Sequence, residues 1–113
     1  MLCNILNQNP KFHATDTSDL PNQLSQITQV WTGSIDVKNE LNTDREKTEK
    51  RMQDTMRAYI EAWRGGDKQV FDKSRGWSNN ILLLQNLYPE AKTIVMLRDL
   101  RNVFASVEKQ HRK

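Results

Sequence analysis

The residues of this sequence best suited to chemistry are Arg98 and Ser106, which stand eight positions apart. Residues 93–97 are rich in β-branched and apolar types, as in a buried strand, and the residues after Asp99 follow a helical period. Ligands of open α/β sheets bind where such a strand ends and the next helix begins. A guanidinium offers phosphate a planar fork of donors, and a serine adds a hydroxyl. The spacing therefore predicts a phosphate-binding pair at a helix N-terminus.

A second cation, Lys73, follows the short apolar segment 69–72. If that segment is a strand, Lys73 lies at its carboxyl end, next to Arg98 provided that the two strands are neighbours in a parallel sheet. The alternative is a surface lysine paired with Asp72 or Glu90. The two interpretations differ in whether the ammonium group is free to meet an anion.

Three segments, in order, resemble the sulfotransferases that use 3′-phosphoadenosine 5′-phosphosulfate, most closely their tyrosylprotein and bacterial or phage branches. Arg98, an Asp, a second basic residue and then Ser106 resemble the segment that binds the 3′-phosphate. Residues 71–77, with the sequence FDKSRGW, resemble the second-strand segment that contains D/E-K-S/T. Residues 2–15 resemble the helix after the 5′-phosphosulfate loop and the chain that follows it. The likeness covers about half of the chain.

The resemblance implies an enzyme that transfers a sulfuryl group from this nucleotide to a hydroxyl acceptor. Arg98 and Ser106 would hold the 3′-phosphate, and Lys73 would stabilise the transferring group. Relatives place a catalytic Glu after the first helix and strand, but residues 13–19 contain none, so Asp16 is the best stand-in for the base, with His13 behind it. No metal is implied, and the acceptor cannot be read from the sequence.

The 5′-phosphosulfate loop, with a pattern like Gly-x-Pro-Arg-Ser-Gly-Thr-Thr, is not present in the sequence. The first residues are apolar with a helical period but have no capping residue, and the last helix has no stop signal. We therefore expect a domain cut at both ends that keeps the 3′-phosphate site. The isolated chain is expected to be inactive or very weak as an enzyme, because the backbone cradle for the phosphosulfate is missing.

The elements that must position these residues predict a helix-rich α/β fold, and the resemblance implies that it is a fragment of the parallel-sheet, P-loop-like sulfotransferase fold. Residues 1–68 are predicted to be mainly helical, and residues 69–113 to form a strand-helix-strand-helix unit that contains a βαβ crossover. The predicted strands cover residues 11–15, 69–72 and 92–97, and the predicted helices cover residues 1–6, 20–31, 34 or 36 to 64, 79–87 and 100–113.

Composition limits the alternatives. The chain of 113 residues is one domain at most, and its formal net charge of +3 comes from an excess of basic residues in 98–113. One cysteine excludes an internal disulfide and suggests the cytoplasm, and no Cys/His spacing indicates a metal site. The sequence has no apolar run of membrane-spanning length. Nucleic-acid binding is disfavoured, because the basic end lacks an aromatic platform.

The competing interpretation is a non-catalytic helical interaction module. The predicted helix 36–64 carries an apolar stripe, and this stripe would dock on a partner if it were exposed in the free chain. The stripe consists of Met52, Met56, Tyr59, Ile60 and Trp63.

Overall fold

The computed structural model describes residues 2–112, so the predicted helix ends at Met1 and Lys113 lie outside the described residues. The described chain is helix-rich with one small parallel sheet, and it is α/β in this coarse sense. Its elements are α1 (Leu2–Leu6), β1 (Phe12–Ala14), α2 (Leu20–Gly33), α3 (Ile35–Thr43), α4 (Arg45–Arg64), β2 (Gln69–Phe71), α5 (Trp77–Leu87) and α6 (Leu100–His111). Within residues 2–112, no helix combines the length and the apolarity needed to cross a membrane.

The sheet pairs β1 with β2 in parallel, with His13 opposite Val70. The pairing continues beyond both strand ends, because the Gln69 N–H donates to the Lys11 carbonyl at 2.9 Å and the Thr15 N–H donates to the Phe71 carbonyl at 3.0 Å. The strands predicted over 11–15 and 69–72 are thereby confirmed. The three helices α2 to α4 form the connection between them, as a parallel pair requires a long crossover.

The core is built from α2, α4 and α5. Leu20, Leu24, Met56 and Leu87 are buried together, and Leu24 has no exposed surface. Partly buried apolar side chains surround this cluster, namely Ile27, Trp31, Ile60, Trp63, Trp77, Leu83 and Tyr88. The stripe of α4 is therefore largely inside the molecule. The stripe is thus not the exposed surface that docking on a partner would require, because α2 and α5 cover most of it.

The helix predicted from residue 34 or 36 to 64 is interrupted at Asp44. There the backbone leaves the helical region, with φ −145° and ψ 81°, and α3 ends. The Asp44 carboxylate accepts a hydrogen bond from the Lys47 N–H at 3.2 Å and so caps the start of α4. An aspartate that satisfies a free N–H of a new helix competes with continuation of the old one. Arg51 and Glu40 form an ion pair across the break.

The strand predicted over residues 92–97 is not formed in the described chain. Ile94 and Leu97 are 63% and 91% exposed, and the described backbone hydrogen bonds include none from residues 92–98. A strand needs a neighbour, and the only parallel pairing among residues 2–112 joins β1 to β2. The predicted βαβ unit near the C-terminus is therefore wrong. The order observed there is β2, α5, an extended segment and then α6, which confirms the helix predicted from residue 100.

Candidate functional site

The carboxyl ends of β1 and β2 meet at one edge of the sheet, and a hydrogen-bonded cluster joins them there. Thr15 directly follows β1, and Asp72 directly follows β2. The Thr15 hydroxyl donates to Asp72 Oδ1 at 2.7 Å, and its oxygen accepts the Lys73 N–H at 3.0 Å. The hydroxyl therefore links the two strand ends through one donor and one acceptor bond.

The backbone of Lys73 is held from both sides by the chain that follows β1. Besides the bond from its N–H to Thr15, its carbonyl accepts the N–H of Ser18, a buried residue, at 3.2 Å. Asp16 lies between these two contact residues and is exposed. The structure therefore brings the segment of Asp16 against Lys73, so the two predicted catalytic residues stand on adjoining turns. His13 is exposed within β1 itself.

The Asp72 carboxylate is occupied on both oxygens. Oδ1 accepts the Thr15 hydroxyl, and Oδ2 accepts the indole Nε1–H of Trp77 at 2.7 Å. Lys73 is exposed, and the ion pairs found among residues 2–112 do not include it. The alternative of a lysine paired with Asp72 or Glu90 is thus not what the structure contains. A positive charge without a carboxylate partner stands at the carboxyl edge of a parallel sheet. We call Thr15, Asp16, Ser18, Asp72, Lys73 and Trp77 the sheet-edge cluster.

Close packing between α2 and α5 fixes the position of Trp77. Gly76 precedes it and touches Pro21, so that a β-carbon at Gly76 would lie 2.8 Å from Pro21 Cγ. The Ser74 Oγ accepts the Gly76 N–H at 3.2 Å and completes the turn between β2 and α5. This turn aims the indole N–H of Trp77 back at the end of β2, where Asp72 accepts it.

Arg98 and Ser106 lie at α6, separate from the sheet-edge cluster. Asp99 caps this helix, since its Oδ1 accepts the Arg101 N–H at 2.8 Å, and the Arg101 guanidinium holds the pKa of Asp99 below its ordinary value. Arg98 is exposed, and Ser106 is half-buried about two turns beyond the cap. Among the described residues, no hydrogen bond or ion pair connects Arg98 or Ser106 to Lys73. The described bonds therefore do not join Arg98 and Ser106 to the sheet-edge cluster.

Helix α6 itself is almost entirely solvated. None of its described residues is buried, and large apolar side chains such as Leu100 and Phe104 are each 70% exposed. The exposed segment 92–97 connects it to α5. Among residues 2–112, no side-chain hydrogen bond holds Arg98 or Ser106 in place.

Four residues of the cluster, Thr15, Ser18, Asp72 and Trp77, were not predicted as site residues from the sequence. Of these, Thr15 and Asp72 follow different strands, and Asp72 was expected only as the ion-pair partner of Lys73 in the alternative interpretation. The signal that links these residues is the strand register: Ala14 lies opposite Phe71, so Thr15 and Asp72 are the next facing pair. Among residues 2–112, no group of three or more His, Cys, Asp or Glu side chains is arranged to hold a metal ion.

A shallow depression of about 470 Å³ lies at the opposite, amino edge of the sheet, lined by Lys11, Phe12, Arg64, Asp67, Lys68 and Gln69. Its arginine is engaged, since Arg64 donates from Nε and Nη2 to the Lys68 carbonyl at 3.1 and 2.9 Å. This depression contains none of the predicted site residues.

The chain matches no known protein-family model, no curated protein and no solved structure.

Proposed function

We propose that this chain is a sulfotransferase-family domain with a P-loop-like fold that binds 3′-phosphoadenosine 5′-phosphosulfate. In this proposal it takes part in transferring the sulfuryl group to a hydroxyl acceptor. The observation that supports the proposal best is the ammonium of Lys73, which has no ion-pair partner among residues 2–112 and whose backbone is held on both sides at the carboxyl edge of a parallel sheet. The sequence likeness at Arg98 and Ser106 is its second support.

Sulfuryl transfer resembles phosphoryl transfer in its requirements. Negative charge on the leaving oxygen and on the equatorial oxygens must be neutralised, and the acceptor hydroxyl must lose a proton. Lys73 is proposed to meet the first requirement. Asp16, exposed on the adjoining turn, is proposed as the base that takes the proton. Arg98 and Ser106 are proposed to hold the 3′-phosphate, which distinguishes this nucleotide from ordinary adenine nucleotides. The expected location is the cytoplasm.

Binding, rather than turnover, is the decisive measurement, because none of the four glycines belongs to a Gly-rich loop between a strand and a helix. Calorimetry should compare adenosine 3′,5′-bisphosphate with adenosine 5′-monophosphate. We expect the bisphosphate to bind more tightly, and equal or absent binding of the two would remove the proposal.

Two pairs of variants assign the binding to residues. Arg98→Ala should weaken bisphosphate binding by about tenfold to a hundredfold, as expected for loss of a charged hydrogen bond. Arg112→Ala is its control, because Arg112 lies just beyond α6 and is already paired with Glu108. Lys73→Ala should weaken binding by about tenfold. Lys68→Ala is the matched control, since Lys68 precedes β2 at the amino edge, whereas Lys73 follows β2 at the carboxyl edge.

The alternative of a helical interaction module was suggested by the apolar stripe of α4, and most of this stripe is packed inside the chain. Met56 of the α4 stripe belongs to the core cluster that contains Leu24 and Leu87. Ile60 and Trp63 of the stripe pack against that cluster. Tyr59, the most exposed member, is 38% exposed and donates its hydroxyl to Gln23 Oε1 at 2.6 Å. A Trp63→Asp variant is accordingly expected to destabilise the fold rather than to release a partner.

A further inference from the structure

We propose that Thr15 and Asp72 are positioning residues for an anion bound by Lys73. The inference rests on the proposed function, and it concerns how the site is held rather than which nucleotide it takes. Thr15 fixes the backbone from which the Lys73 side chain departs. Asp72 fixes the Thr15 hydroxyl and Trp77 while being kept away from the ammonium group.

The first step concerns direction. A threonine hydroxyl has one proton and two lone pairs, and it can rotate freely unless its proton has a partner. The Thr15 hydroxyl donates a hydrogen bond to the Asp72 carboxylate, with 2.7 Å between the two oxygens, so a lone pair of the Thr15 oxygen faces the Lys73 N–H, with 3.0 Å between oxygen and nitrogen. The hydrogen bond to an ionised acceptor is the stronger kind and sets the orientation. With Ser18 on the Lys73 carbonyl, both backbone polar groups of Lys73 are fixed.

The second step concerns charge. Asp72 is the sequence neighbour of Lys73, and a free carboxylate there would compete with any anion for the ammonium group. Both of its oxygens are instead committed to neutral donors, the Thr15 hydroxyl and the Trp77 indole N–H. Asp72 is half-buried, whereas Lys73 is exposed. The two donors thus hold the carboxylate on the inner side of the turn and leave the lysine charge to the solvent side.

The decisive test is a double-mutant cycle, read by calorimetry with adenosine 3′,5′-bisphosphate. Thr15→Val keeps the side-chain shape and removes both hydroxyl bonds, and we expect binding to weaken by about tenfold, similar to Lys73→Ala. In the Lys73→Ala background, Thr15→Val should cause no further loss, because Thr15 acts through Lys73. Thr15→Ser keeps the hydroxyl and should restore binding. Thr17→Val, in the same exposed turn, should bind as the native chain does.

Asp72→Asn is a second test variant. Whether it strengthens or weakens anion binding distinguishes a role of Asp72 through its charge alone from a positioning role. Removing a negative charge beside Lys73 would strengthen anion binding if Asp72 acted only through its charge. Whichever way the amide is turned, however, either the Thr15 hydroxyl or the Trp77 indole faces an N–H group instead of an acceptor. A positioning role therefore predicts binding weakened by a few fold, together with faster hydrogen exchange of the Lys73 amide.

The outcomes are distinguishable. The inference is supported if Thr15→Val weakens binding in the native chain but not in the Lys73→Ala background, and if Asp72→Asn also weakens binding. Tighter binding in Asp72→Asn, or equal losses from Thr15→Val with and without Lys73, overturns it and leaves the proposed function standing. If Lys73→Ala itself binds the bisphosphate normally, the positioning role fails together with the role proposed for Lys73, whereas the effect of Arg98→Ala is judged separately.

Discussion

Replacement by alanine is expected to have opposite effects on stability at Gly76 and at Gly33. Gly76 stands at the start of α5 with ordinary helical angles, φ −61° and ψ −22°, so no strained backbone requires a glycine there. What requires it is space, because an added β-carbon would lie 2.8 Å from Pro21 Cγ and 3.2 Å from Asn22 Oδ1. Gly33 ends α2, and a β-carbon there would meet no atom within 4 Å.

The expected magnitudes follow from these contacts. Carbon atoms in ordinary contact are about 3.5–4.0 Å apart, so Gly76→Ala must displace the α2 N-terminus or the turn before α5. The Pro21 ring is fully buried and rigid, which leaves it little room to yield. Overpacking of this kind lowers the free energy of unfolding by about 1–3 kcal/mol. Alanine also restricts the unfolded chain more than glycine does, which raises the free energy of unfolding by about 0.4–1 kcal/mol. With the middle of each range, Gly76→Ala should lower the free energy of unfolding by about 1.3 kcal/mol. Gly33→Ala should raise it by about 0.4–1 kcal/mol.

Urea denaturation followed by circular dichroism measures both variants against the native chain. With a slope of about 1.5 kcal/mol/M, the Gly76→Ala midpoint should fall by roughly 0.9 M, while the Gly33→Ala midpoint should rise. If the urea midpoint of Gly76→Ala equals that of the native chain, the close approach of α2 and α5 is refuted. Loss of stability in both variants would show instead that alanine is unfavourable for some reason other than the Pro21 contact.

Three further predictions concern the core, a helix cap and a tyrosine. Leu24→Ala should cost about 2–5 kcal/mol in chemical denaturation, whereas Val30→Ala, on the exposed side of the same helix, should cost little; equal costs would contradict the described core. Asp44→Ala should lower stability by about 1 kcal/mol through loss of the α4 cap, and an unchanged midpoint would argue against that cap. Burial, together with the hydrogen bond to Glu61, raises the pKa of Tyr88 from 10.0 to about 12. Because the folded pKa is the higher one, the stabilising contribution is complete below pH 10 and is lost as the pH rises from 10 to 12. Tyr88→Phe should remove that part of the pH dependence, as seen in denaturation midpoints across this range.

Local pattern predicted the helices well and the strands unevenly. Segments 11–15 and 69–72 are short and only partly apolar, yet both form strands, because they pair with each other. Residues 92–97 have the stronger β-type composition, but they remain unpaired and exposed. Periodicity measures the preference of a segment, whereas a strand also depends on an edge that accepts it. The break at Asp44 shows the same limit, since one side-chain bond to the Lys47 N–H outweighs a helical pattern that continues on both sides.

The same contrast between local pattern and strand pairing applies to the candidate site. Lys73 was predicted from a short motif and Asp16 from the place of the family's catalytic Glu, both beside strands that do form, and the structure places their segments in contact through Thr15 and Ser18. Thr15 and Asp72 are separated by 57 residues, so their hydrogen bond depends on a register that no local pattern contains. Once the parallel register is known, the pair follows directly from Ala14 facing Phe71. A candidate anion-binding residue can thus be predicted from the sequence by its chemistry, whereas the residues that contact its backbone can be predicted only when the strand pairing is known.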